Sequence, residues 1–194
     1  MIVINFKKYK KGKEALKLAR RVEKYLGKSA IVCPYDVGWV LGKAKIKVFS
    51  QRLDVGEEIT GDGSLLNHSD YRIPASKIAR IVGENRKRKI ILCVRDLREA
   101  RMYKKLKPWA IALEDEKLIG SGKSITEYRS DSVREFARLL KGGRVRAFCG
   151  AGIHSAEDVR MARRLGCRGV LISSAVAKSR DGEKVLRELS KVRK

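Results

Sequence analysis

A few short polar clusters in this chain carry the groups needed to move a proton beside a carbonyl. Glu114 ends the apolar run Trp109 to Leu113, His68 follows Ser64-Leu65-Leu66-Asn67, and Asn5 and Lys7 close the run Ile2 to Phe6. A carboxylate abstracts the proton, an imidazole donor and an anchored ammonium hold the oxyanion that forms, and an amide orients the substrate oxygens. The turn Gly150-Ala151-Gly152-Ile153 and the pair Ser173-Ser174 each stand between an apolar run and a helix-like stretch. Backbone N–H groups in such places suit a phosphate. Taken singly, each cluster has a plainer explanation: a satisfied polar histidine, half of a salt bridge, a tight GxG turn. Their weight depends on whether the fold brings them to one face.

The elements that must position them alternate. Apolar runs at 2–6, 30–33, 46–49, 64–67, 90–94, 109–113, 145–149 and 170–172 read as eight strands. Between and after them, about seven stretches show helical spacing, such as Ala15, Leu18, Ala19, Val22 and Leu26. Pro74 suits one helix start, Ser130 or Ser132 another, and Ser155 with Asp158 resembles a capping box. Strict alternation forces parallel strands with right-handed crossovers, and eight such units close into a (β/α)8 barrel forming a single domain over residues 1–194. The length falls just under the roughly 200 residues where such barrels begin. The helix between the third and fourth strands is the missing piece. On a barrel, all the polar clusters above fall at C-terminal strand ends, where barrel sites lie.

Composition sets the remaining bounds. Forty-six Lys and Arg against 22 Asp and Glu give a net charge of +24. That balance admits an anionic partner or a solvated basic surface. No apolar run approaches a membrane span and no signal-peptide core is present, so a cytoplasmic location is expected. Cys33, Cys93, Cys149 and Cys167 lack CxxC spacing and read as buried reduced thiols, with no metal site.

The chain resembles archaeal-type triosephosphate isomerases. The stretches that carry the likeness are Ile4-Asn5-Phe6-Lys7, Leu65-Leu66-Asn67-His68-Ser69, Glu114 with Leu118-Ile119-Gly120-Ser121-Gly122, Cys149 to Ile153, and Gly169 to Ser174. The likeness runs from about residue 2 to residue 190 and is weakest at 34–63. It implies interconversion of dihydroxyacetone phosphate and glyceraldehyde 3-phosphate, with no metal or organic cofactor. It implies Glu114 as the base, His68 as a neutral electrophile, and Lys7 against the oxyanion. Asn5, Ile119, Gly120, Gly152, Ser173 and Ser174 would contact substrate, with 118–122 part of a lid. His154 matches no family role and reads as a surface or capping residue.

The chain departs from the family in three places. Asp115 and Glu116 stand where a proline follows the glutamate, which suggests a looser lid and a raised Glu114 pKa. Asp70 replaces a longer glutamate, which would loosen the network around Lys7 and His68. Thr60-Gly61 resembles a loop tip that reaches a partner subunit, yet Asp62 and Gly63 cannot span the roughly 17 Å down to a strand starting near Ser64. A homo-oligomer, dimer or tetramer, with an altered third-loop contact is therefore expected. The competing readings are another phosphate-binding barrel enzyme, and a barrel relic binding RNA through the runs Lys7 to Lys11, Arg86 to Lys89 and Arg101 to Lys107. The Asn5, Lys7, His68 and Glu114 set argues against the first. The lack of any RNA-binding motif makes nucleic acid the weakest expectation.

Overall fold

The computed structural model describes residues 1–51 and 61–193. Eight parallel strands close into a barrel in sequence order, with neighbouring strands paired all the way round to β8 against β1. The strands are β1 (Ile2–Asn5), β2 (Ile31–Cys33), β3 (Lys47–Ser50), β4 (Gly63–Leu66), β5 (Lys89–Val94), β6 (Ala110–Leu113), β7 (Arg146–Cys149) and β8 (Gly169–Ile172). Helices α1 (Gly12–Leu26), α2 (Val37–Val40), α3 (Ala75–Glu84) and α4 (Leu97–Lys104) cover the first half. Helices α5 (Ile125–Tyr128), α6 (Ser130–Leu140), α7 (Ala156–Arg164), α8 (Ser174–Ala177) and α9 (Gly182–Ser190) cover the second. The expected barrel is thus present, with strand boundaries shifted by a residue or two.

Alternation along each strand divides the apolar residues into two layers. Ile2 and Ile4 point out to the helices, and Val3 points in. The interior holds Ile31, Cys33, Leu65, Ile91 and Cys93 with two large rings, Phe49 and Phe148. Each ring demands a glycine on the next strand: a Cβ on Gly63 would lie 2.7 Å from the Phe49 ring, and one on Gly169 would lie 2.6 Å from Phe148. Trp109 closes the N-terminal end of the barrel with its edge toward both rings, at centroid distances of 6.1 and 5.7 Å. All four cysteines are buried and free.

Ser155 and Asp158 form the complete capping box at the start of α7. At α6 the expected serine cap is absent. Ser130 is already helical, Arg129 occupies the cap, and α6 continues almost directly from α5, which Ser124 caps instead. Twelve residues separate β3 from β4, about the minimum for a parallel crossover. Among them, 51, 61 and 62 are described, and none is helical. Whether a helix is missing there, and where Thr60 sits, concern residues 52–60 and lie outside the described residues. Gly61 lies beside β3: it bridges Phe49, and Asp62 N–H donates to the Val48 carbonyl at 2.8 Å. Gly61 therefore stands alongside the strand, not above it.

Candidate active site

The C-terminal strand ends do converge. One cavity is lined by Asn5, Lys7, His68 and Glu114, together with Ile119 and Gly120 of the lid stretch. Gly152, Ser173 and Ser174 line it from β7 and β8. Every residue expected at the site from sequence borders this cavity. Its wall also includes Leu171, Ile172 and His154. His154 has its side chain about half exposed, and its Nδ1 lies 2.7 Å from the Gly152 carbonyl. A carbonyl only accepts, so Nδ1 carries the hydrogen.

Glu114 is 1% exposed. Its N–H donates to the Val94 carbonyl at 2.9 Å, which fixes the backbone at the end of β6. Oε1 lies 3.2 Å from His68 Nε2, and Oε2 is buried without a partner. Gly150 makes this possible, since a Cβ there would sit 3.2 Å from Oε1. Burial by itself raises the Glu114 pKa. Pairing with His68 and smaller contributions from the Cys93 thiol and the Arg72 guanidinium outweigh it, so the carboxyl is held below its ordinary value. The expected upward push from Asp115 and Glu116 is thus reversed. Both of those carboxylates are engaged elsewhere: Asp115 pairs with Arg129 at 3.1 Å, and Glu116 with Arg72 at 2.9 Å.

His68 Nδ1 accepts the Asp70 backbone N–H at 3.1 Å. An amide nitrogen offers no lone pair, so Nδ1 accepts and Nε2 carries the hydrogen. That hydrogen points at Glu114. The Asp70 side chain reaches Lys7 Nζ at 3.0 Å, so the shorter carboxylate keeps the network that a glutamate was expected to be needed for. Asn5 Oδ1 accepts the Lys7 N–H at 3.0 Å. Lys7, Asn67 and Ala151 adopt positive φ of 47°, 58° and 75°. These sit at the ends of β1, β4 and β7, so left-handed strain of about 1–3 kcal/mol per residue is concentrated around the cavity.

The Gly152 side is equally constrained. A Cβ on Gly152 would lie 1.8 Å from the Lys123 carbonyl, so the segment after Gly122 packs directly on this turn. Ile125 N–H donates to the Ala151 carbonyl at 3.1 Å, and Thr126 Oγ1 to Asp158 Oδ1 at 3.3 Å. Ser173 Oγ, like Glu114 Oε2, is a buried side-chain atom without a hydrogen-bond partner among the described residues. Sequence reasoning missed Arg72. Its Nη1 donates to the Asn67 carbonyl at 2.7 Å, and its other nitrogens hold Glu116, tying β4's end to the lid hinge. A lone arginine gives no local signal of such a contact.

The triosephosphate isomerase family profile matches residues 53–189. The triosephosphate isomerase of Pyrobaculum arsenaticum is 32% identical over 216 aligned positions, covering 98% of this chain and 96% of the relative. That of Methanothermus fervidus is 33% identical over 214, covering 97% and 96%. Both alignments exceed the 194 residues here, so the relatives carry residues that this chain lacks. Among solved structures, a thiamine phosphate pyrophosphorylase from Pyrococcus furiosus superposes with a TM-score of 0.68 at 17% identity, covering 98% of this chain and 93% of that one. The (S)-3-O-geranylgeranylglyceryl phosphate synthase of Thermoplasma acidophilum, complexed with sn-glycerol-1-phosphate, gives 0.69 at 14%, covering 99% and 91%. At that identity the structures speak to the barrel alone. The sequence matches carry more: with a family profile over most of its length and near-full-length relatives at about a third identity, the chain belongs to the triosephosphate isomerase family.

Proposed function

We propose that this protein interconverts dihydroxyacetone phosphate and glyceraldehyde 3-phosphate through an enediolate. The observation that carries the proposal is that, among the described residues, the two buried side-chain N/O atoms lacking a hydrogen-bond partner, Glu114 Oε2 and Ser173 Oγ, belong to residues lining one cavity. An orphaned buried acceptor costs about 1–3 kcal/mol unless a ligand satisfies it. One orphan is the atom a base would use, and the other is a hydroxyl suited to a phosphate oxygen. Glu114 removes the proton from the carbon beside the carbonyl and returns it to the neighbouring carbon, while His68 Nε2 relays the hydroxyl proton from one substrate oxygen to the other. His68 Nε2–H turns from Glu114 to the substrate oxygen, and Lys7 Nζ offsets the charge that develops there. Because His68 is the main influence holding the Glu114 pKa down, substrate that engages His68 leaves burial opposed only by Cys93 and Arg72 and makes the carboxylate a stronger base. Asn5 orients the substrate, amides at Gly152, Ser173 and Ser174 take the phosphate, and Ile119 and Gly120 close over it.

The same proposal has the chain acting in the cytoplasm as one domain and as a homo-oligomer. Among the described residues no helix is long and apolar enough to cross a membrane. Half-exposed Tyr9, Tyr35 and Tyr71 border a second cavity beside Lys7 and His68, where a further copy would be received. The test is a coupled assay with glyceraldehyde 3-phosphate. Glu114→Gln is expected to lose about 10²–10⁴-fold in kcat. Equal rates, or no turnover by the wild type, overturn the proposal.

A further inference from the structure

Twelve cations converge on the N-terminal face of the barrel, opposite the active site. One groove, of about 500 Å³, lies between the C-terminal ends of α6 and α7 and is lined by Arg134, Arg138, Lys141, Arg146, Arg164 and Arg168. A second, of about 310 Å³, lies at the entrance to β5 and β6 and is lined by the run Arg86 to Lys89, with Lys107, Arg144 and again Arg146. The shared Arg146 joins the two. No acidic residue lines either groove. Only Arg134 and Arg164 form ion pairs, with Asp131 and Glu157, so ten of the twelve have no carboxylate partner among the described residues.

Like charges held this close destabilise the folded chain unless something offsets them. A substrate dianion does not, because its cavity opens at the other end of the barrel. A compact phosphate would need its cations to converge on one point, whereas these are spread along two connected grooves, which suits a long chain of repeating negative charge. A lipid surface fits poorly: none of the exposed large apolar side chains lines either groove, so nothing there would insert among acyl chains. We infer that this face binds the phosphodiester backbone of nucleic acid, without reading its sequence. The basic run Arg86 to Lys89 carries no motif of its own. It gains meaning because the fold sets it beside Lys107, Arg144 and Arg146.

The test is fluorescence anisotropy with a labelled oligo(U), and a DNA of equal length in a parallel arm, across a salt series. Wild type is expected to bind with a log–log salt slope of about −3 or steeper. The exposed charge reversals Arg86→Glu, Lys141→Glu and Arg144→Glu, combined, are expected to weaken binding about tenfold or more and flatten that slope. The reversals Lys13→Glu, Lys17→Glu and Arg20→Glu on the outer face of α1 lower the net charge equally and should cost at most about threefold. Thermal melts establish that both variants fold. Binding of RNA, DNA or both with this pattern supports the inference, and any preference between them identifies the source. Equal losses in the two variants, no binding by the wild type, or capture of phosphatidylserine vesicles without either nucleic acid overturns it.

Discussion

Glu114 and His68 hold each other, and their 3.2 Å contact makes the Glu114 pKa depend on His68. Burial raises the Glu114 pKa and pairing with His68 is the main influence lowering it. His68→Ala removes that influence and leaves burial opposed only by the smaller effects of Cys93 and Arg72, so the carboxyl protonates at higher pH. The acid limb of kcat/KM should therefore move to higher pH in the variant, while kcat falls about 10²–10⁴-fold through loss of the electrophile. The substrate phosphate titrates identically in both proteins, so the displacement belongs to the enzyme. An unmoved or lower limb in a pH–rate series would mean that His68 does not hold the carboxyl down. Asp70 shows the same economy of geometry. One residue supplies an N–H to His68 Nδ1 and a carboxylate to Lys7 Nζ, so its backbone and side chain align two proposed catalytic groups at once.

At the scale of elements, the proposed lid hinge at Asp115 and Glu116 is restrained by charge where the family has a proline. Asp115 pairs with Arg129 and accepts the Lys117 N–H at 3.0 Å, and Glu116 pairs with Arg72. Partly exposed pairs of this kind contribute about 0–1 kcal/mol and weaken as salt rises. Glu116→Gln should lower kcat/KM by up to about fivefold, and the variant's activity should decline less steeply with salt than the wild type's. A salt profile that runs parallel in the two proteins would remove the hinge role. These pairs also mark the limit of what the sequence discloses. Strand runs, the polar residue after each run, and the Ser155–Asp158 box are local patterns, so Lys7, His68 and Glu114 could be placed at one barrel face before any coordinates. Arg72 and Glu116 stand 44 residues apart and meet only because β4 and β6 end on the same face. That contact is invisible to a local reading of residues 115 and 116. Gly63 and Gly169 likewise look like turn residues until strand register sets them against Phe49 and Phe148. The α6 cap was misplaced because two serines offered equal local signals and packing used neither.

For the whole molecule, the net charge of +24 opposes folding more than its ion pairs favour it. Among the described residues a minority of Lys and Arg have a carboxylate within reach, and most of those pairs are solvent-exposed and worth little. Ten cations on a single face, without a carboxylate partner among the described residues, add repulsion that the unfolded chain relieves by expanding. Raising ionic strength from about 0.01 M to 0.3 M shortens the screening length from about 30 Å to well under 10 Å. It therefore relieves many cation–cation contacts while weakening few useful pairs. The melting temperature should rise over that range, by several degrees at neutral pH, in a thermal scan with sodium chloride. The rise should be smaller for the triple reversal at Arg86, Lys141 and Arg144, because the wild type starts with more repulsion to screen. A ligand with dense negative charge should stabilise the wild type further by mass action at the same salt. A melting temperature that falls with salt would show that the scattered ion pairs outweigh the repulsion, and that the basic face carries no folding cost for a partner to relieve.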